Sequence, residues 1–147
     1  MEQFAEVNGK VLGIMLGYRG LDERAEVATA GLLKDVLSPQ EMEGWIQAGI
    51  TMEEIRPRPL EEEFYVQHLA VMGPHQSKGI GAQLLAWTGD YARKEGSAGL
   101  SLDVEIENTR AIAFYERGGF TMTATFTHES LKRVGITGMH RMVKPLV

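Results

Sequence analysis

The apolar positions of this chain fall into short stretches, each with one recognisable period. Phe4 to Leu16 holds two apolar runs separated by Asn8-Gly9. That dipeptide tolerates the positive φ angles of a two-residue turn, so the opening predicts a β-hairpin. From Asp22, the residues Val27, Leu32, Leu33, Val36 and Leu37 form an irregular helical stripe that ends before Ser38-Pro39. Ser38-Pro39-Gln40-Glu41 then supplies an N-cap, a proline at the first helical position and a capping-box glutamate, and Met42, Trp45, Ile46 and Gly49 continue a short second helix. Arg56-Pro57-Arg58-Pro59 reads as a linker, since each proline removes a donor and pushes its predecessor towards extended geometry.

Phe64 to Val71 is nearly continuous in apolar residues, the pattern of a central strand covered on both faces. After Gly79-Ile80-Gly81, apolar residues at Ile80, Leu84, Trp87 and Tyr91 mark a helix that Gly96 terminates. Leu100, Leu102, Val104 and Ile106 alternate with polar residues, as in a strand with one buried face. A further helix capped by Asn108 or Thr109 and closed by Gly118-Gly119 follows, then strands near Phe120 to His128 and Met139 to Lys144. The alternation of strands and helices predicts a mixed α/β fold.

With 147 residues, 44% of them hydrophobic, one domain with one core is expected. No apolar stretch approaches the ~20 residues of a membrane span. The absence of cysteine excludes disulfides and thiolate metal sites, and with no signal-like beginning it leads us to expect a cytoplasmic protein. A formal net charge of -5 disfavours general nucleic-acid binding, which needs many cations. His75, His128 and His140 have no partners at metal-ligand spacing, so no metal is expected.

The chemistry concentrates in Leu69-Ala70-Val71-Met72-Gly73-Pro74-His75-Gln76-Ser77-Lys78-Gly79-Ile80-Gly81, which runs from a strand end through a glycine-rich turn into a helix. Glycines allow close backbone approach, and the first N-H groups of a helix suit a pyrophosphate. Spacing alone equally allows a plain tight turn. A Walker loop is excluded, because no Gly-Lys-Ser/Thr follows.

Gln76-Ser77-Lys78-Gly79-Ile80-Gly81 resembles the Gln/Arg-x-x-Gly-x-Gly/Ala signature of the GNAT acetyltransferase superfamily. Asn108 to Phe120 resembles that superfamily's Asn-x-x-Ala-x-x-Phe-Tyr-x-x-x-Gly-Phe segment, and Gly138 to Lys144 resembles its last strand. The resemblance covers about residues 4 to 20 and 63 to 146, and it implies a mostly antiparallel sheet flanked by helices within a single domain, 1-147. Residues 18-62 would be a helical insert near the acceptor side. Superfamily members usually have a strand and two helices before the hairpin, so the resemblance implies an N-terminally shortened member. Surface left open in that way would be covered by the insert or by a homodimer partner.

The resemblance further implies an N-acetyltransferase that moves an acetyl group from acetyl-CoA to a primary amine of a small molecule or protein by direct attack. A non-catalytic acyl-CoA-binding module is the alternative. Coenzyme A would be held by the backbone of Leu69, Ala70 and Val71, by the turn Gln76, Ser77, Lys78, Gly79, Ile80, Gly81 and Ala82, and by Asn108. Tyr115 matches the general acid. Where relatives often place the base, this chain aligns Tyr65 and Gln67; Glu63 through a water chain is the first substitute and His68 the second. Glu63 within its acidic run and His68 within its strand also have ordinary structural readings, as does an aromatic pair Phe114-Tyr115.

Overall fold

A computed structural model describes residues 1–20, 36–55, 58–133 and 135–146. The opening hairpin forms as expected from its turn: β1 (Glu2–Val7) and β2 (Lys10–Arg19) are joined by Asn8 at φ 52 and Gly9 at φ 76. These are the left-handed conformations that an Asn-Gly turn tolerates. The stripe from Asp22 lies almost wholly outside the described residues. The next helix, α1 (Pro39–Ile55), extends six residues beyond Gly49. Its capping box is complete, with Ser38 N-H donating to Glu41 Oε2 at 2.8 Å and Glu41 N-H to Ser38 Oγ at 3.4 Å.

The remaining elements are β3 (Glu63–Val71), α2 (Ile80–Lys94), β4 (Gly99–Glu105), α3 (Thr109–Arg117), β5 (Thr121–Phe126), the short α4 (Glu129–Arg133) and β6 (Met139–Pro145). The strands form one sheet in the order β1-β2-β3-β4-β6-β5, antiparallel except between β3 and β4. The mixed α/β class with a mostly antiparallel sheet therefore holds. Tyr18 and Arg19 continue β2, so the first residues of the expected 18-62 insert belong to the sheet. The helix α4, absent from the sequence reading, has five residues and one buried anchor, Leu131, which is too little for a periodic signal.

Helix α2 covers one face of the sheet, but its buried stripe is Leu84, Leu85, Thr88, Gly89 and Ala92. The expected Trp87 lies at the flank instead, 39% exposed and stacked on Tyr91 with ring centroids 5.7 Å apart. Thr88 satisfies its buried hydroxyl by donating to the Leu84 carbonyl at 2.7 Å. Leu84 and Leu85 join Met15, Phe64, Val66, Leu100, Leu102 and Met142 in one core. Each such side chain contributes about 1.5–3 kcal/mol on burial. The far end of α2 is tied down by Arg19, whose guanidinium donates to the Glu95 carbonyl at 2.6 Å.

Candidate active site: a cleft at the fork of two parallel strands

Two departures from regular pairing create the site. The parallel strands β3 and β4 share only the register pairs Glu63↔Gly99, Phe64↔Leu100 and Tyr65↔Ser101. Beyond Tyr65 the two strands form a fork, and the β3 backbone groups that face it have no strand partner among the described residues. On its other side β3 passes from Gly17↔Val66 to Leu16↔His68, which leaves Gln67 as an extra residue. This bulge resets the alternation of side chains. Phe64 and Val66 face the core, and Leu69 and Val71 face the same way although an even register would turn them round.

The bulge also explains the half-buried, half-exposed character of β3. Phe64, Tyr65 and Val66 are buried, while Gln67, His68 and Ala70 are exposed. A central strand covered along its whole length was expected; only its first half is so covered, because β4 leaves it after Tyr65.

The turn after β3 is built by its own sequence. Gly73–His75 make one 3-10 turn, and the Gln76 side-chain amide donates back to the Val71 carbonyl at 3.0 Å, fixing the turn to the strand end. Ser77 (φ 60) and Gly79 (φ 84) then take left-handed conformations. The first α2 bond recorded is Gln83 N-H to the Gly79 carbonyl at 3.0 Å, and the N-H groups from Ser77 to Ala82 meet no acceptor among the described residues. Such a run of free donors at the positive end of a helix suits an anion.

The facing wall is α3. Asn108 caps it, its Oδ1 accepting from Ala111 N-H at 3.1 Å, so its Nδ2 remains available. Between the walls lies a cleft of ≈ 500 Å³. Of the expected residues it is lined by Leu69, Val71, Gln76, Ser77, Gly79, Gly81, Ala82, Asn108 and Tyr115. Gly81 matters for its width: a Cβ there would meet Phe114 Cζ at 3.4 Å. The cleft thus fits a nucleotide-bearing thioester in donor chemistry.

Ala70 and Lys78 are exposed and do not line the cleft, and Ile80 turns towards the core. His68 sits in the forked half of β3. Through its register with Leu16 it shares the sheet face of Tyr65, opposite to the cleft residues Leu69 and Val71. Glu63 lies at the other end of β3, buried, with Oε2 accepting from Leu60 N-H at 3.3 Å. It is eight residues from Val71, or about 26 Å along a strand.

Tyr115 is packed edge-on against Phe114 and Phe120, with ring centroids 5.2 and 5.7 Å away. Burial pushes its phenol above the usual tyrosine value. The sequence reading missed five lining residues: His75, Arg110, Ala111, Phe114 and Arg117. Three of them stand at i, i+4 and i+7 on α3, a helical stripe that the sequence did carry.

The model of the acetyltransferase (GNAT) family matches residues 3–120. Among curated proteins, the uncharacterised N-acetyltransferase YhfO of Bacillus subtilis is 32% identical over 71 residues, 48% of this chain and 48% of that protein. The aminoalkylphosphonate N-acetyltransferase of Salmonella typhimurium is 38% identical over 55 residues, 37% of this chain and 36% of that protein. The matched part therefore spans less than half of either relative. Among solved structures, the ribosomal-protein-S18-alanine N-acetyltransferase of Escherichia coli superposes with a TM-score of 0.61 at 19% identity, covering 99% of this chain and 68% of that one. A Bacillus anthracis acetyltransferase in complex with acetyl coenzyme A gives a TM-score of 0.66 at 13% identity, covering 99% and 62%. A family match over residues 3–120, on a fold that these structures share, means that the chain belongs to the acetyltransferase (GNAT) family.

Proposed function

We propose that the chain is an N-acetyltransferase that takes the acetyl group of acetyl-CoA and delivers it to a primary amine by direct attack. The observation that carries this reading is the turn from Ser77 to Ala82, whose N-H groups meet no acceptor among the described residues, on the wall of the ≈ 500 Å³ cleft. The donors would hold the pyrophosphate, and the β3 edge at Leu69, Ala70 and Val71 would pair with the pantetheine arm as a missing strand would. Asn108 Nδ2 would reach the same arm from α3. An N-H near Val71 would stabilise the oxyanion that forms as the amine attacks the thioester carbon.

Two proton movements complete the reaction. The Tyr115 phenol, protonated at neutral pH as any tyrosine is and with its pKa raised further by burial, donates to the departing thiolate. From reference values of about 10 and about 8.5 this transfer is uphill, and burial makes it more so. Tyr115 therefore assists rather than commands the step. An amine with a pKa near 10.4 must also lose a proton, at a cost of about 4–5 kcal/mol at neutral pH. We assign that relay to His68, an exposed ionisable group in the fork, ahead of Glu63, which would need a water chain along most of β3.

The acceptor stays a small-molecule or protein amine, since one relative is named for an aminoalkylphosphonate and one structural neighbour for a ribosomal protein alanine. Residues 18-62 would border its entry. No helix among the described residues is long and apolar enough to cross a membrane. We further propose that the reaction takes place in the cytoplasm. The test is release of free thiol from acetyl-CoA against a panel of amines. Stabilisation by CoA without thiol release from any amine would reduce the protein to a binding module, and no association with CoA at millimolar concentration would remove both readings.

A further inference from the structure

The sheet has two unequal faces. Helices α2 and α3 pack on one of them. On the other, the register pairs Phe4↔Ile14, Ile14↔Ala70 and Leu16↔His68 set Phe4, Ile14, Leu16, His68 and Ala70 side by side. Nearer Glu63 this second face is closed, since Tyr65 is buried. Beyond the fork it is open: Phe4 is 48% exposed, His68 and Ala70 are exposed, and Ile14 and Leu16 are only half-buried.

The second unmatched surface is α1. Met42, Trp45, Ile46 and Ile50 recur at the spacing of a stripe that faces a core. Yet Trp45, Ile46 and Ile50 are 38%, 46% and 47% exposed, and among the described residues α1 makes no extensive contact with any strand or other helix. One chain thus carries an apolar helix stripe without a sheet and an apolar sheet face without a helix, the two parts of an ordinary helix-on-sheet layer.

We propose that a second copy of this chain supplies the missing contact in both directions, with α1 of each protomer lying on the open sheet face of its partner about a twofold axis. Area favours this closed exchange. The 17 residues of α1 make a rod about 25 Å long and about 10 Å wide, with a footprint of about 250 Å². Exchanged both ways, the helix and sheet surfaces of the two copies bury about 1,000 Å², the lower bound of a specific interface, whereas a single helix–sheet contact reaches half of that. A one-way contact would also leave a free helix at one end and a free face at the other, and would grow without closing. Charge disfavours the simpler pairing of α1 with α1: its sequence holds glutamates and no lysine or arginine, while the sheet face carries one acid, Glu2, and the ionisable His68. His68 is also the assigned proton relay, so the partner's α1 would complete the acceptor side of each fork; this part rests on the reading of the cleft as an acetyltransferase site.

The experiment is sedimentation velocity across the micromolar range on the wild type, on Phe4→Glu, on Ile46→Glu and on an equimolar mixture of the two variants, after thermal melts establish that each is folded. Phe4→Ala replaces Phe4→Glu if the charge prevents folding. The wild type should be a dimer, and each substitution should weaken it by at least about tenfold, as for a central interface residue. The mixture should associate more tightly than either variant alone, because it brings one intact helix to one intact sheet face. A wild type that stays monomeric, a dimer that the Phe4 substitution leaves intact, or a mixture no tighter than its components would each overturn the proposal. None of these readings uses CoA, so such a failure leaves the function of the cleft standing. In the thiol-release assay, Ile46→Glu should lower kcat/KM for the amine by at least about tenfold with CoA affinity unchanged. An unchanged kcat/KM would remove the partner from the fork, while a wild type that releases no thiol with any amine would overturn the functional reading and leave the dimer.

Discussion

Arg141 on β6 grips Asp103 on β4 with two hydrogen bonds, Nε to Oδ1 at 2.5 Å and Nη2 to Oδ2 at 3.1 Å, and the two side chains are 7% and 1% exposed. Tyr65 on β3 donates its hydroxyl to the same carboxylate at 3.0 Å. Three strands are thereby tied together by side chains at the level where the β3–β4 backbone ladder stops. The geometry of the fork depends on this tie.

Asp103→Ala removes the carboxylate that neutralises a buried guanidinium, and should cost about 3–5 kcal/mol in stability. Replacing both partners, as in Asp103→Leu with Arg141→Met, should cost less than the sum of the single changes, because no buried charge is then left over. Urea unfolding of the two single variants and the double variant checks the sign of the coupling. Additive losses would mean that the pair does not act as a unit.

Gly17 marks a second fixed point of β3. A Cβ at that position would collide with the Phe64 ring and lie 2.7 Å from the Tyr65 carbonyl oxygen, which is backbone and cannot swing away. Gly17→Ala should therefore destabilise the fold by about 1–3 kcal/mol, the usual cost of overpacking. Because the bulge at Gln67 lies beside Gly17, the same variant should also weaken CoA affinity, which titration at a temperature well below its melting point would measure.

Much of this site could be read from residue types, and the parts that could not have physical reasons. The Asn8-Gly9 turn, the Ser38-Glu41 capping box and the Asn108 cap all act through their immediate neighbours, so local sequence specifies them. The glycine turn at Gln76 to Gly81 was legible for the same reason. The bulge was not, because Gln67 is extra only with respect to the pairing of β2, a strand separated from β3 by residues 20–62 of the sequence. Strict alternation without the bulge would turn His68 away from the face of Tyr65 and Leu69 towards it, the reverse of what the register shows. Arg110 and Arg117 were overlooked because a charged helix face ordinarily reads as solvated, and only the turn facing it makes it a binding wall.

The burial of Tyr115 has a consequence for stability at high pH. Its folded pKa lies above the unfolded value near 10, so the folded chain holds the phenolic proton more tightly. The contribution is fully present below about pH 10; as pH rises through the folded pKa the unfolded chain ionises first, and stability falls. Denaturant midpoints measured from pH 8 to 11 should decline more steeply for the wild type than for Tyr115→Phe, after allowance for the other tyrosines and lysines, which both proteins share. Parallel declines would show that the phenol is not held in an apolar setting.

The last prediction separates the roles of three residues by kinetics. Tyr115→Phe should lower kcat by about 10² to 10⁴ while CoA affinity stays within a few-fold, as for the loss of a positioned acid. His68→Gln should lower kcat/KM by about 10² or more near neutral pH and change the acidic side of the pH–rate profile, because the attacking amine then loses its relay. Glu63→Gln keeps the oxygen that accepts from Leu60 N-H, so it should leave both the rate and the profile nearly unchanged. If Glu63→Gln instead flattens the acidic limb while His68→Gln does not, the proton travels the length of β3 by water, and the fork's exposed histidine is a bystander.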